Sequence, residues 1–352
     1  MFPCAYRYSG ARLTKSIAGL RVSDRPIQAL WYAGAGRAEL RPESVAAPGP
    51  AEVRVRALFG AISRGTERLV FEGRVPPSQY QRMRAPRMAG EFPFPAKYGY
   101  ATVGRVEAGP PELRDRIVFA LHPHQSVFAV AADAVTSIPE GVPPARAVLA
   151  ANMETALNGV WDGAPGPADR IAVVGGGVVG LLVARLCARI PGTQVTVVDI
   201  MASRGALAQT LGADFTAPAA APEGCDLVFH ASGTGAGLAT ALRIAGEEAT
   251  IVELSWYGAG DVAAPLGEAF HSRRLRLVSS QVGQVAPSHR PRWSRGRRLA
   301  AALDLLADPA LDGLLAPAVP FESLPERLAE ILGSQTDARC PLIRYPGAEE
   351  SS

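Results

Sequence analysis

The stretch that most constrains this chain is residues 170–200, RIAVVGGGVVGLLVARLCARIPGTQVTVVDI. The apolar run 171–174 predicts a strand buried on both faces. It breaks at Gly175, Gly177 and Gly180, a G-x-G-x-x-G pattern, after which Val178, Leu181, Leu182 and Leu186 recur at helical spacing. A second buried strand, 194–198, ends at Asp199. A dinucleotide site needs this order. The first glycine allows a tight turn, the second lets backbone approach a pyrophosphate, and the third lets helix and strand pack closely. Val178 and Val179 then open a helix whose free N–H groups and positive dipole end suit phosphates. Asp199, nineteen residues after Gly180, is placed to accept hydrogen bonds from an adenosine ribose.

The chain has 352 residues, room for two domains with separate cores. A formal charge of +3 is too small to argue for nucleic acid, so none is expected as a partner, and no apolar run reaches membrane-spanning length. The four cysteines (Cys4, Cys187, Cys225, Cys340) make no C-x-x-C pair and no metal-ligand spacing, so reduced thiols and a cytoplasmic location are expected. Residues 1–25 are basic, aperiodic and without a signal-type apolar core, and are expected to be a disordered extension.

From Gln28 the pattern is one of strands and turns, including the alternating EVRVRALFGAIS, followed by a proline-rich loop at 73–97. A helical period returns at 145–161. Strands and helices then alternate through about residue 279, which predicts a doubly wound parallel sheet. A return segment follows, with helices and a last strand at 341–345.

This order resembles the medium-chain dehydrogenase/reductase superfamily, the alcohol dehydrogenase-like proteins. The resemblance rests on Gly65-Thr66-Glu67, Tyr98-Gly99-Tyr100, Asp115-Arg116-Ile117-Val118, Thr155 ahead of the glycine motif, and Leu211-Gly212-Ala213-Asp214. The stretch ISRGTERLVFEGRVPP is most similar to the bacteriochlorophyllide hydroxyethyl dehydrogenases. The resemblance implies an α/β fold: a Rossmann doubly wound parallel sheet at 153–282, and a β-rich GroES-like catalytic domain from 26–152 and 283–352. It also implies a homodimer or homotetramer, assembled through the sheet edge near 249–255. Zinc-dependent members carry cysteine where this chain has Arg64, histidine where it has Tyr100, and a further ligand near Ala151. An arginine at a ligand position repels the ion, so no zinc is expected. His122 and His124 are the one pair that would rebuild a metal site with a third ligand.

Without metal, a side chain must handle the substrate proton. Thr66 matches the family hydroxyl that passes it. Tyr100 is expected in the same cleft, with Arg64 lowering its pKa and Glu67 orienting Tyr100 or Arg64. Glu154 is an alternative base. Thr155 corresponds to the threonine under the nicotinamide ring, and Arg204 to a basic residue at the adenosine ribose. Ser232 lies where the family lines the cofactor cleft, and Ser280 or Gln281 would bond the carboxamide. Asp199 repels a 2′-phosphate, favouring NAD over NADP. Arg74, Arg82, Arg84, Arg87 and Lys97 in the 73–97 loop suit an anionic substrate, and Tyr80, Phe92 and Phe94 a flat ring. The basic run HRPRWSRGRR at 289–298 reads as a solvated face. The expected activity is hydride transfer between NAD(H) and a secondary alcohol or ketone. The alternatives are a zinc-free quinone or enoyl reductase, and a dinucleotide-binding sensor without catalysis.

Overall fold

A computed structural model describes residues 26–333 and 339–348, so the expected N-terminal extension lies outside the described residues. Period-two patterning builds the first part of the fold. Strands β1 (Gln28–Gly34), β2 (Arg37–Pro42) and β3 (Glu52–Ala61) precede helix α1 (Arg64–Phe71) and the short strands β4 (Ala89–Gly90) and β5 (Ala96–Lys97). Next come β6 (Thr102–Ala108), β7 (Ile117–Ala120), β8 (Val127–Ala131) and β9 (Val135–Ser137). One antiparallel sheet has the order β2-β1-β5-β4; in the other, β3 pairs with both β6 and β8. Along β3, Val53, Val55 and Ala57 are buried while Arg54 and Arg56, between them, pair with Glu107.

Helices α2 (Pro144–Ala147) and α3 (Ala150–Gly163) lead into the parallel part. Its elements are β10 (Arg170–Val174), α4 (Val178–Ala188), β11 (Gln194–Val198), α5 (Gly205–Thr210), β12 (Asp214–Thr216), β13 (Cys225–His230) and α6 (Gly235–Ile244). They continue with β14 (Ala245–Glu253), α7 (Glu268–Ser272) and β15 (Arg276–Ser279). The six strands run parallel in the order β12-β11-β10-β13-β14-β15. The order in which the strands are added switches sides at β10, which places a ligand crevice at the carboxyl ends of β10 and β13. The segment 249–255, expected at the sheet edge, is largely β14, an interior strand paired on both sides; the edges are β12 and β15.

The return segment comprises α8 (Arg295–Leu305), β16 (Val319–Pro320), α9 (Leu324–Leu332) and β17 (Leu342–Arg344). Strand β17 pairs with β3 and so closes the β-rich sheet. Leu303 of α8 and Leu306 beyond it share a core with α3 and with Leu181 and Leu182 of α4. The basic run that leads into and begins α8 is not simply a solvated face: Arg298 is only 2% exposed, and His289 stacks on Trp161 with centroids 4.1 Å apart. Cys187, Cys225 and Cys340 are buried free thiols, and burial pushes Cys187 and Cys340 up to about 12. Among the described residues no helix is long and apolar enough to cross a membrane.

Candidate active site

The turn between β10 and α4 is shaped by two glycines. Gly175 has φ +111°, and a Cβ there would stand 2.6 Å from the Ser232 backbone nitrogen. A Cβ on Gly180 would fall 1.9 Å from the Gly175 carbonyl oxygen, so only glycine permits this approach of helix to strand. Gly177, by contrast, faces open space, and no side chain caps the helix that starts at Val178 and Val179. Its first N–H groups are therefore available to an anion. Asp199 is 7% exposed and held by three donors. Its Oδ2 accepts from the Gly176 N–H at 2.7 Å and from Arg204 Nη1 at 2.6 Å, and its Oδ1 accepts from the Met201 N–H at 2.8 Å. The Arg204 Nε is buried without a partner, and the neighbouring Ile200 is 85% exposed. An open glycine cradle, an oriented carboxylate, an orphaned donor and a bare apolar surface fit the adenosine and pyrophosphate of a dinucleotide.

The other candidate residues lie around α1. The hydroxyls of Ser63, which precedes the helix, and of Thr66 lie close enough to the Tyr100 hydroxyl to influence its titration. Tyr100 is half-buried and packs against both the core beneath the parallel sheet and that of the β-rich part. Burial, reinforced by the nearby Glu67 carboxylate, pushes its hydroxyl up to about 12, which Ser63 and Thr66 only partly offset. The expectation that Arg64 lowers this pKa is thus overturned. Arg64 reaches the other way, donating from Nε to the Ile331 carbonyl at 3.0 Å and from Nη1 to the Arg339 carbonyl at 2.8 Å, where it ties α1 to the return segment. Glu67 is fully buried and orients neither Tyr100 nor Arg64 by a direct bond. It accepts from the Tyr32 hydroxyl at 2.5 Å, from His124 Nε2 at 2.8 Å and from the Ser63 N–H at 2.8 Å.

Glu154, the alternative base, is committed elsewhere: its Oε1 accepts from Arg298 Nε at 3.0 Å in a buried pair. Thr155 donates to the Ala151 carbonyl at 2.9 Å. Ser280 donates to Asp162 at 2.6 Å, and the Gln281 side-chain oxygen accepts from the Gly283 N–H at 2.8 Å, which leaves the Gln281 amide donors for a ligand. In the 73–97 loop, Arg74 pairs with Glu72, Arg84 donates to the Gly90 carbonyl, and Lys97 pairs with Glu43, while Phe92 is buried between Tyr80 and Tyr98. Of the expected anion cluster, Arg82 and Arg87 remain exposed, with no such partner among the described residues.

No protein-family model matches the chain. It is 26% identical over 307 residues to the D-guloside 3-dehydrogenase of Escherichia coli K12, an alignment covering 78% of this chain and 87% of the relative. It superposes on an NADP-bound zinc-binding dehydrogenase from Sinorhizobium meliloti 1021 with a TM-score of 0.73 and 18% identity, over 91% of this chain and all of the other. It also superposes on E. coli L-idonate 5-dehydrogenase with a TM-score of 0.75 and 15% identity, over 91% and 98% of the two chains. The chain has the medium-chain dehydrogenase fold. Within that fold the β-rich sheets form the GroES-like part and the six parallel strands the Rossmann part.

The fold implies zinc in many of its members, and the donor set here does not fit the ion. At the two positions where the resemblance places zinc ligands the chain has Arg64, which reaches away to carbonyls of the return segment, and Tyr100, and the buried acid Glu67 is consumed by Tyr32 and His124. The His122/His124 pair does not converge either. His122 stacks on Phe128 with centroids 3.8 Å apart, and burial pushes its imidazole down to about 3, while His124 faces Glu67. Among the described residues no three His, Cys, Asp or Glu side chains group as metal ligands. Sequence reasoning missed Tyr32, Ser63 and the Glu67–His124 pair. Tyr32 is simply an inward residue of an alternating strand, and His124 meets Glu67 only through the fold.

Proposed function

We propose that this protein transfers hydride between NAD(H) and a secondary alcohol or ketone on a polyhydroxylated, sugar-like substrate, with hydroxyl side chains in the place of zinc. The observation that carries this reading is the clamp of Asp199, Gly176 and Arg204 beside the uncapped start of α4, a geometry made for a ribose diol and a pyrophosphate. The sugar-like class is supported by the guloside dehydrogenase, the relative with the highest identity among those described above.

When bound, the nicotinamide supplies the hydride donor or acceptor. The chain's own groups manage the oxygen. Thr66 and Ser63 neighbour the Tyr100 hydroxyl, and Tyr100 stays protonated through neutral pH, so it donates a hydrogen bond to a carbonyl oxygen. In the oxidative direction the hydride leaves to the nicotinamide while Thr66 takes the substrate hydroxyl proton as it passes its own on, the net proton being released to solvent from this half-exposed cluster. Glu67, locked by Tyr32, His124 and the Ser63 N–H, keeps α1 and its hydroxyls in register.

The reading is tested with protein purified without chelator or added metal, by elemental analysis and by NADH formation on a panel of glycosides and secondary alcohols. Sub-stoichiometric metal and chelator-insensitive NADH formation are expected. A full equivalent of zinc whose removal stops turnover would return the reaction to Lewis-acid chemistry. Reduction of enones alone would make the protein an enoyl reductase, and cofactor binding with no turnover a sensor.

Cofactor choice rests on Asp199. Replacing it by serine removes a charged acceptor from the ribose and leaves Arg204 free for a 2′-phosphate. NADH should then bind roughly 10- to 100-fold more weakly, as expected for losing a hydrogen bond to a charged group, while NADPH binds more tightly than in the parent. Fluorescence titration of both nucleotides reads this out; unchanged selectivity would remove Asp199 from the ribose site.

A further inference from the structure

Strand β14 ends at Glu253, and the loop that follows it leaves the parallel sheet for the β-rich part. Its root is fastened on the Rossmann side. Glu253 lies in register opposite His230, the last residue of β13, and its Oε2 is 2.7 Å from His230 Nδ1. His230 Nε2 is in turn taken up by the Ser232 hydroxyl at 2.7 Å. Glu253 also accepts from the Ser255 N–H at 2.7 Å and from the Tyr257 hydroxyl at 2.9 Å, and the Ser255 hydroxyl accepts from the Gly233 N–H at 3.0 Å. Ser255 and Tyr257 are thereby held, with Trp256 between them.

The far end of the loop lands on α1. Gly258 has φ +66°, and a Cβ there would stand 3.1 Å from Leu69 Cδ2 and 3.2 Å from the Arg74 carbonyl oxygen. Leu69 follows Thr66 by three residues, so the two share one face of the helix. Trp256 is carried to that side of α1. It is half-buried and packs, as Tyr100 does, against the core of the β-rich part. Its indole N–H makes no hydrogen bond among the described residues, and the nitrogen keeps access to solvent.

A tryptophan so placed suits a ligand that is apolar on one face and polar at its rim. A sugar ring is such a ligand: its C–H groups form an apolar face, and its hydroxyls accept hydrogen bonds. We propose that Trp256 binds the sugar ring of the substrate, with the indole against the C–H face and Nε1 donating to a hydroxyl other than the one oxidised. This rests on the sugar-like substrate class proposed above. Thr66 and Tyr100 handle the reacting oxygen, and Trp256, brought to the same cleft from the Rossmann side, handles the rest of the ring. Because the loop is fastened at both ends, the platform is formed before substrate arrives, and little ordering is left for binding to impose.

Steady-state kinetics on a panel of methyl hexopyranosides, with calorimetric titration of NADH, makes the test. For the glycoside that the parent oxidises best, Trp256→Ala should raise KM about 10- to 100-fold, the combined effect of one ring contact and one hydrogen bond, with kcat changed much less. Trp256→Phe keeps a ring and loses only the donor, so its KM should rise about three- to tenfold. NADH affinity should follow the parent in both. An unchanged KM in Trp256→Ala would overturn the proposal. Loss of NADH affinity in step with the rise in KM, in both variants, would make the tryptophan a packing residue and overturn it equally. Should Trp256→Ala fail to fold, Trp256→Phe, which keeps most of the bulk, decides by the same two readouts. A parent that oxidises secondary alcohols but no glycoside would sink the sugar reading itself, and the proposal with it, before any variant is compared.

Discussion

Replacing Thr66 with valine should lower kcat about 10²- to 10⁴-fold, the range typical of losing a positioned proton-transfer group, with little change in cofactor affinity. Valine matches threonine in shape, so α1 keeps its packing and only the hydroxyl is lost. Tyr100→Phe should cost less, on the order of 10- to 100-fold, because Ser63 and Thr66 remain to bond the substrate oxygen. The pH profile separates two roles for Tyr100. A tyrosine made acidic by a neighbouring arginine would act as a base and impose a rising limb near neutrality. Burial instead holds this phenol at about 12, so the parent enzyme should show no limb removable by Tyr100→Phe below the ordinary tyrosine value of 10. Steady-state kinetics of both variants across pH, with any alcohol that supports NADH formation, makes the check. Full turnover in Thr66→Val would place the proton path elsewhere.

The parts of the fold and site that were legible in the sequence are those specified within a short window. The β10–α4–β11 unit was readable because its glycines, apolar periodicity and terminal acid all lie within residues 170–200, and Arg204, which pairs with Asp199, follows only five residues after it. Position in a motif also found Thr66 and Tyr100 as neighbours. What each does there was not legible, because a pKa depends on burial and on charges that arrive from distant segments. Arg64 is only two residues before Thr66 in sequence, yet its guanidinium is drawn off by carbonyls at Ile331 and Arg339. Glu67 is claimed by Tyr32 from β1 and His124 from beyond β7. The His230–Glu253 pair needed the parallel register of two strands, although a polar residue ending each of two apolar strands was a visible sign of it. Residues 249–255 were misplaced at an edge for a related reason: strand order in a parallel sheet is set by helical crossovers, which leave no mark on the strand's own sequence.

Arg298→Met should destabilise the protein by about 3–5 kcal/mol at neutral pH, the cost of leaving a buried charge without its partner. Arg298 is 2% exposed and closes a network that joins α8 to α3: it bonds Glu154, Asn158 Oδ1, and the carbonyls of Val282 and Gln284. Even in the parent, burial pushes the Glu154 carboxyl up, and Arg298 pulls it partly back. Removing the arginine raises it further. The folded variant then binds the Glu154 proton more tightly than the unfolded chain, whose carboxyl titrates near 4.5. Its stability falls as pH rises through that window, and recovers as pH falls toward 4.5 and the carboxyl is neutralised. Urea denaturation at pH 7 and pH 5 should therefore show a larger loss at pH 7, with a pH-independent remainder from the two carbonyls left unpaired. The double variant Glu154→Gln, Arg298→Met should lose the pH-dependent part and keep the remainder. The same pair tests the role once open to Glu154 in catalysis. As a structural partner of Arg298, Glu154→Gln should alter stability while retaining turnover in the fraction that stays folded; abolished turnover in a folded Glu154→Gln protein would restore it as the base.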